Sequence, residues 1–91
     1  MNQDRRASIE KQVNEVRDLA NALRNAYDEL TTLQEEEQEA FDNLPEGLQQ
    51  ADRGQSIEAI SQALEDGLSN LDSAIGDIES SADDIESALE N

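Results

Sequence analysis

From Ile57 to Asn91 the chain divides into five consecutive sevens, IEAISQA, LEDGLSN, LDSAIGD, IESSADD and IESALEN, each opening on Ile or Leu followed by an acid. With the opening position labelled a, the a column reads Ile57, Leu64, Leu71, Ile78 and Ile85. The d column reads Ile60, Gly67, Ala74, Ser81 and Ala88, and the e column Ser61, Leu68, Ile75, Ala82 and Leu89. Positions a, d and e lie side by side on a helix, so the pattern predicts a long helix with an apolar stripe three columns wide. A disordered acidic segment has no reason to keep such a register.

The same pattern of columns runs through the first half. Ile9, Val16, Leu23 and Leu30 fall at a, Leu19, Ala26, Leu33 and Ala40 at d, and Val13, Ala20, Tyr27 and Phe41 at e. Between the two halves lies NLPEGLQQADRGQ. Pro45 restricts the residue before it and ends the first helix near Asn43, while Gly47 and Gly54 supply backbone freedom. Pro45 also suits the first position of a short helical turn running to about Gln50. The second helix starts at Asp52 or at Ser56, both good caps, and Ser56 is the preferred start. The expected elements are a helix over about 4–43, a turn with a short helix over about 44–55 and a helix over about 56–90. Two helices about 50 to 57 Å long with so short a connection form an all-α, antiparallel two-helix hairpin, coiled-coil-like in its repeat.

A stripe of three columns is wider than one partner helix covers, so the hairpin is a candidate for dimerisation into a four-helix bundle, with Leu64, Leu71, Tyr27 and Phe41 as the self-association residues. Ala, Ser and Gly at most d positions argue instead for close helix approach. Gly67 at d fits such an approach opposite Thr31, since a helical Gly otherwise costs roughly 1 kcal/mol relative to Ala. Glu37 at an a position suggests that the stripe opens to solvent near the turn. Gly76, at an outward f position, has no packing explanation.

Charge narrows the function. Asp plus Glu number 23, Lys plus Arg 6 and His none, for a formal net charge of −17. A chain so acidic does not neutralise a row of phosphates, which excludes direct nucleic-acid binding, and it lacks the clustered Lys and Arg that an anionic membrane surface recruits. The absence of Cys and His removes disulfides, thiolate nucleophiles, the usual zinc ligands and the commonest general base. No run of about 18 apolar residues is present, and MNQDRRASIE lacks the apolar core of a signal peptide. The expected location is the cytoplasm, and the host cytoplasm if the chain is phage-encoded.

The acids are unevenly placed. Residues 28–66 hold twelve acids against Arg53 alone, which is −11 of the −17, and the b column of the second helix is acidic in every heptad: Glu58, Glu65, Asp72, Glu79 and Glu86. Folding the chain back near residue 49 sets Arg5, Arg6, Lys11 and Arg17 beside Asp77, Asp83, Asp84, Glu86 and Glu90, so the open end mixes signs. Glu35, Glu36, Glu37, Glu39 and Asp42 crowd the end of the first helix, where the macrodipole disfavours negative charge by about 0.3–1 kcal/mol for each exposed acid. Placements that oppose local stability often serve function. The candidate partner-binding residues are accordingly Glu35, Glu36, Glu39, Asp42, Glu46, Glu58, Glu65, Asp66, Asp72 and Glu79. A solvated face, or the acidic surface of a salt-adapted proteome, is the competing explanation.

Chemistry beyond binding finds little support. Asp72 with Asp77, or Asp83 with Asp84, lies in helix and lacks the alternating loop ligands of a calcium site, so no metal and no cofactor is expected. A hairpin offers no concave pocket in which to separate the pKa values of two carboxylates, and no catalytic residue is assigned. Arg53 and Gly54 read as turn chemistry, or else as a recognition tip.

The segment Glu35 to Gly54, EEEQEAFDNLPEGLQQADRG, resembles a family of small acidic proteins that recur in bacteriophage and prophage genomes. The glutamates before Phe41, then Asp42, Asn43, Leu44, Pro45, Glu46, Leu48, Gln49, Arg53 and Gly54 carry the resemblance, which covers about 20 residues well and the second helix by composition. No activity is assigned to that family. The resemblance implies a phage setting, where small acidic proteins include DNA mimics that occupy the basic groove of a nucleic-acid-binding or defence protein. A structural helical bundle or small chaperone of phage assembly is the alternative expectation.

Overall fold

The computed structural model describes residues 2–90 and is all-α, a helical hairpin with α1 over Gln3–Asp42, a short α2 over Glu46–Gln49 and α3 over Asp52–Glu90. Asn2 caps α1: its Oδ1 accepts a hydrogen bond from the Arg5 N–H at 2.7 Å, satisfying one of the orphan donors of a helix start. At the other end Pro45 stops propagation, and the Leu44 N–H tightens the last turn by donating to the Phe41 carbonyl at 3.1 Å. Pro45 then caps α2 with φ −56° and ψ 147°, its carbonyl accepting from the N–H groups of Leu48 and Gln49. The Gln49 side chain reaches back and donates to the Phe41 carbonyl at 3.1 Å.

The second long helix starts four residues before the expected Ser56. Asp52 opens it, and the Ala51 carbonyl already accepts from the Gln55 N–H at 3.0 Å. The carboxylate in the first turn is favoured by the positive end of the macrodipole. Gly54, read from the sequence as turn chemistry, is instead buried inside this first turn. A Cβ there would meet the backbone of α2: the Leu48 carbonyl oxygen, the Gln49 carbonyl oxygen at 2.6 Å and the Gln49 Cα at 2.7 Å. Glycine therefore lets α3 begin hard against α2.

The chain divides into two compact units, and each long helix contributes a segment to each. Unit 1 comprises Met1–Asn25 with Asp72–Asn91, and unit 2 is Ala26–Leu71. In both, the buried residues follow one column. On α3 the buried positions are Gly54, Ser61, Leu68, Ile75, Ala82 and Leu89, spaced by sevens, and on α1 they are Val13 and Ala20. All are e positions in the frame read from the sequence. Full burial of a Val, Leu or Ile contributes about 1.5–3 kcal/mol, so Ile75, with no exposed surface, is the strongest single anchor of unit 1.

The seam thus differs from the expected a, d and e stripe. It is centred on e; the a residues Leu23, Leu30, Leu64, Leu71 and Ile78 are half-buried beside it, and the d column faces outward, with Leu19 65% exposed, Ile60 50% and Leu33 48%. The side chains explain the choice. On α3 the e column carries Leu68, Ile75 and Leu89, whereas d carries Gly67, Ala74, Ser81 and Ala88, so burying e removes more apolar area from water. Gly67 consequently makes no close approach: a Cβ there would find nothing within 4 Å, and the same holds at Gly76.

In unit 2 the seam contains a polar cluster. Ser61, only 1% exposed, accepts a hydrogen bond from the Gln34 amide at 3.2 Å and donates to the Gln38 Oε1 at 2.9 Å. Burial of a hydroxyl is tolerated because its donor and acceptor are both satisfied. Every α3 heptad resembles the next, so a hydroxyl that matches only Gln34 and Gln38 also helps to set which residues face each other.

Candidate functional site

Centring the seam on e brings the b columns of both helices to its edge, and in unit 1 this pairs charges across the helices. Arg17 donates from Nε to Glu86 Oε2 at 3.1 Å and from Nη2 to the same oxygen, and its Nη1 lies 2.9 Å from Asp83 Oδ1. Arg24 bridges Asp72 Oδ1 at 2.7 Å and Glu79 Oε1 at 3.2 Å. Each guanidinium spans two acids one helical turn or one heptad apart, a fork geometry that a lysine ammonium does not reproduce. The hydrogen bonds to Glu86 and then Asp83 raise the Arg17 pKa above its ordinary value, and those to Asp72 and then Glu79 do the same for Arg24. Both arginines therefore stay charged throughout the working pH range.

These pairs change the standing of two candidate residues. Asp72 and Glu79, expected to face a partner, are engaged by Arg24 within unit 1. The remaining eight, Glu35, Glu36, Glu39, Asp42, Glu46, Glu58, Glu65 and Asp66, all lie in unit 2 and are exposed. Asp42 accepts one hydrogen bond from the Gln38 amide at 3.0 Å, and every salt bridge among the described residues lies in unit 1. Unit 2 therefore carries twelve acids and one base, net −11, without internal neutralisation, while unit 1 carries eleven acids and five bases, net −6.

The four residues assigned to self-association, Leu64, Leu71, Tyr27 and Phe41, are half-buried along the seam. The large apolar side chains that the fold leaves most open are others: Leu19, Leu33, Ile60, Leu48, Ile85 and Val16. Bulk in the e column, against small residues at d on α3, was the signal that would have singled out the d leucines as outward-facing.

An open hollow of about 530 Å³ near the turn is lined by Phe41, Gln49, Gln50, Gln55, Glu58, Ala59 and Gln62, and its one titratable side chain is Glu58. Among the described residues no three acidic side chains converge as a metal-binding group, and no helix is long and apolar enough to cross a membrane. Comparison with protein-family models, with curated proteins and with solved structures gives no match.

Proposed function

We propose that the protein is a non-enzymatic binding protein whose acidic unit 2 occupies the basic groove of a nucleic-acid-binding protein and blocks it, as duplex phosphates would. The observation that carries this reading is the separation of charge. Acids beside the seam in unit 1 are paired by Arg17 and Arg24, whereas among the described residues no carboxylate of unit 2 is in a salt bridge and all but the half-buried Glu37 are exposed. The α3 part of unit 2, residues 52–71, spans about 30 Å, so the net −11 of unit 2 as a whole, both helical segments and the turn together, corresponds to roughly one charge per 2.7 Å of that length, against about one per 1.7 Å for duplex DNA. Such a surface steers a basic cleft toward itself and discriminates against acidic partners. In the phage setting that the sequence of residues 35–54 suggests, the proposed target is a host nuclease or defence protein.

The test is a variant carrying Glu35→Gln, Glu36→Gln, Glu39→Gln and Asp42→Asn. It keeps the shape of these side chains, and it removes two acids, Glu39 and Asp42, from the last turn of α1, where each costs about 0.3–1 kcal/mol. The expected variant is as helical as the parent, at least as stable, and no longer retains the nucleic-acid-binding protein captured from host lysate by the parent. Equal retention by the two proteins refutes the reading.

A further inference from the structure

The a column of unit 1, with Leu19 from its d column, makes an apolar patch that unit 1 leaves partly open. Leu19 is 65% exposed, Ile85 47% and Val16 37%. Two shallow depressions run along this face, one lined by Ile9, Val13, Val16, Ala82 and Ile85 with Arg5, Ser8, Gln12 and Ser81 at its edge, the other by Val16, Leu19, Leu23 and Ile78.

Three observations bear on what covers it. The first is the placement of acids. In a chain of net charge −17, the only acid of α1 and α3 in an a, d or e position is Glu37. Burial explains why the e column excludes acids, but the d column is exposed in the hairpin and excludes them as strictly. The second is area. A folded monomer of 10.0 kDa exposes about 5,200 Å² by the usual scaling with mass, and this chain exposes 6594 Å². The excess of roughly 1,400 Å² belongs to the whole chain, and the exposed Leu19, Ile85 and Val16 place part of it on unit 1; an interface of standard size takes ~800 Å² from each partner. The third is charge. Unit 1 holds five of the six basic residues and mixes signs around the face, with Arg5 in its d column and Glu15, Asp77 and Asp84 along its rim. Unit 2, at −11 and with Glu37 in its own a column, repels a second copy far more strongly.

We infer that a second copy of the chain covers this face, unit 1 against unit 1, so that Val16, Leu19, Leu23, Ile78 and Ile85 of both copies share one apolar core, with Arg5, Gln12 and Ser81 toward its edge. A self-complementary patch of this kind closes with two-fold symmetry and stops at the dimer. The inference is independent of the acidic-surface reading, because the contact uses the a and d columns of unit 1 and leaves the carboxylates of unit 2 free. Like charges oppose the contact, so it tightens with added salt, the reverse of what the acidic surface predicts for its partner.

The experiment is sedimentation equilibrium on the full chain over a concentration series, at about 0.1 M and about 1 M salt, between which the Debye length falls from ~10 Å to ~3 Å. The wild type is expected at twice the 10.0 kDa chain mass, with a several-fold lower dissociation constant at high salt. Leu19→Glu is expected to be monomeric with unchanged helicity, while Asn21→Glu, the same added charge at an f position, and Leu33→Glu, in the d column of unit 2, remain dimeric. A wild type monomeric at every concentration, a dimer that survives Leu19→Glu, or one lost with Leu33→Glu overturns the inference. Amide exchange on the wild type supplies a readout that needs no variant: protection rises with concentration over residues 9–23 and 74–88 and not over 26–71. Protection that does not respond to concentration overturns it equally.

Discussion

Replacing Gly54 by Ala tests the junction between α2 and α3, because two opposing effects predict opposite signs. Helix propensity alone favours Ala over Gly in a helix interior by about 0.8–1.0 kcal/mol. At Gly54 the added methyl meets backbone atoms: the Leu48 carbonyl, and the Gln49 carbonyl oxygen and Cα at 2.6 and 2.7 Å. No rotamer change relieves a clash with main chain, so the cost belongs in the upper part of the 1–3 kcal/mol typical of overpacking, or above it. The net expectation is a loss of about 1–2 kcal/mol, which lowers the thermal midpoint by roughly 5–15 °C for a chain of this size. Gly67→Ala and Gly76→Ala are the internal controls. Nothing lies within 4 Å of a Cβ at either site, so each should stabilise by about 1 kcal/mol through propensity alone. Thermal and urea unfolding followed by circular dichroism at the helix band measures all three. If Gly54→Ala stabilises the protein as much as the other two, α3 does not begin against α2 and the account of the turn is wrong.

Other substitutions probe the seam and its edge. Ile75→Ala, at the one large apolar side chain among the described residues with no exposed surface, should cost about 2–5 kcal/mol in urea unfolding, and a loss below 1 kcal/mol would show that e is not the packed column. Ser61→Ala leaves the Gln34 and Gln38 amides without their partner and should cost about 0.5–1.5 kcal/mol, whereas an unchanged midpoint would remove the polar cluster from the account of register. Arg24→Gln removes the bridge to Asp72 and Glu79 and should lower the midpoint at low ionic strength, with the difference largely gone near 1 M salt, where the Debye length is about 3 Å. A deficit that persists at high salt would mean that the Arg24 stem, rather than its charge, holds the helices together.

The hairpin was legible because five repeats of one heptad leave no other structure for that half of the chain, and because Pro45 and the short connection place the reversal. The rotation of each helix about its axis was harder to read. Columns a, d and e are all apolar, and only the contrast between Leu68, Ile75 and Leu89 at e and Gly67, Ala74 and Ser81 at d indicates which is buried. That rotation decides the site as well. Turning e inward carries b to the seam edge, where Arg17 and Arg24 take up Asp83, Glu86, Asp72 and Glu79, and it carries Leu19, Leu33 and Ile60 outward. An acid every seven residues showed that a charged ridge exists, but not which of its members an arginine of the other helix engages. Gly54 was ambiguous for a similar reason: an Asp-Arg-Gly after a proline turn suits a loop and a tight helix start alike, and the closeness of the α2 backbone settles it.

The central claim, that the unpaired carboxylates of unit 2 bind a basic groove, is tested most directly by the salt dependence of affinity for the retained partner. The dissociation constant would be measured from about 50 mM to about 200 mM salt for the wild type and for the variant neutralised at Glu35, Glu36, Glu39 and Asp42, with duplex DNA as competitor. The account predicts affinity that falls steeply as salt rises, a weaker and flatter dependence for the variant, and displacement of the wild type by duplex DNA. Affinity that is indifferent to salt, unchanged by neutralisation and unaffected by DNA would contradict it.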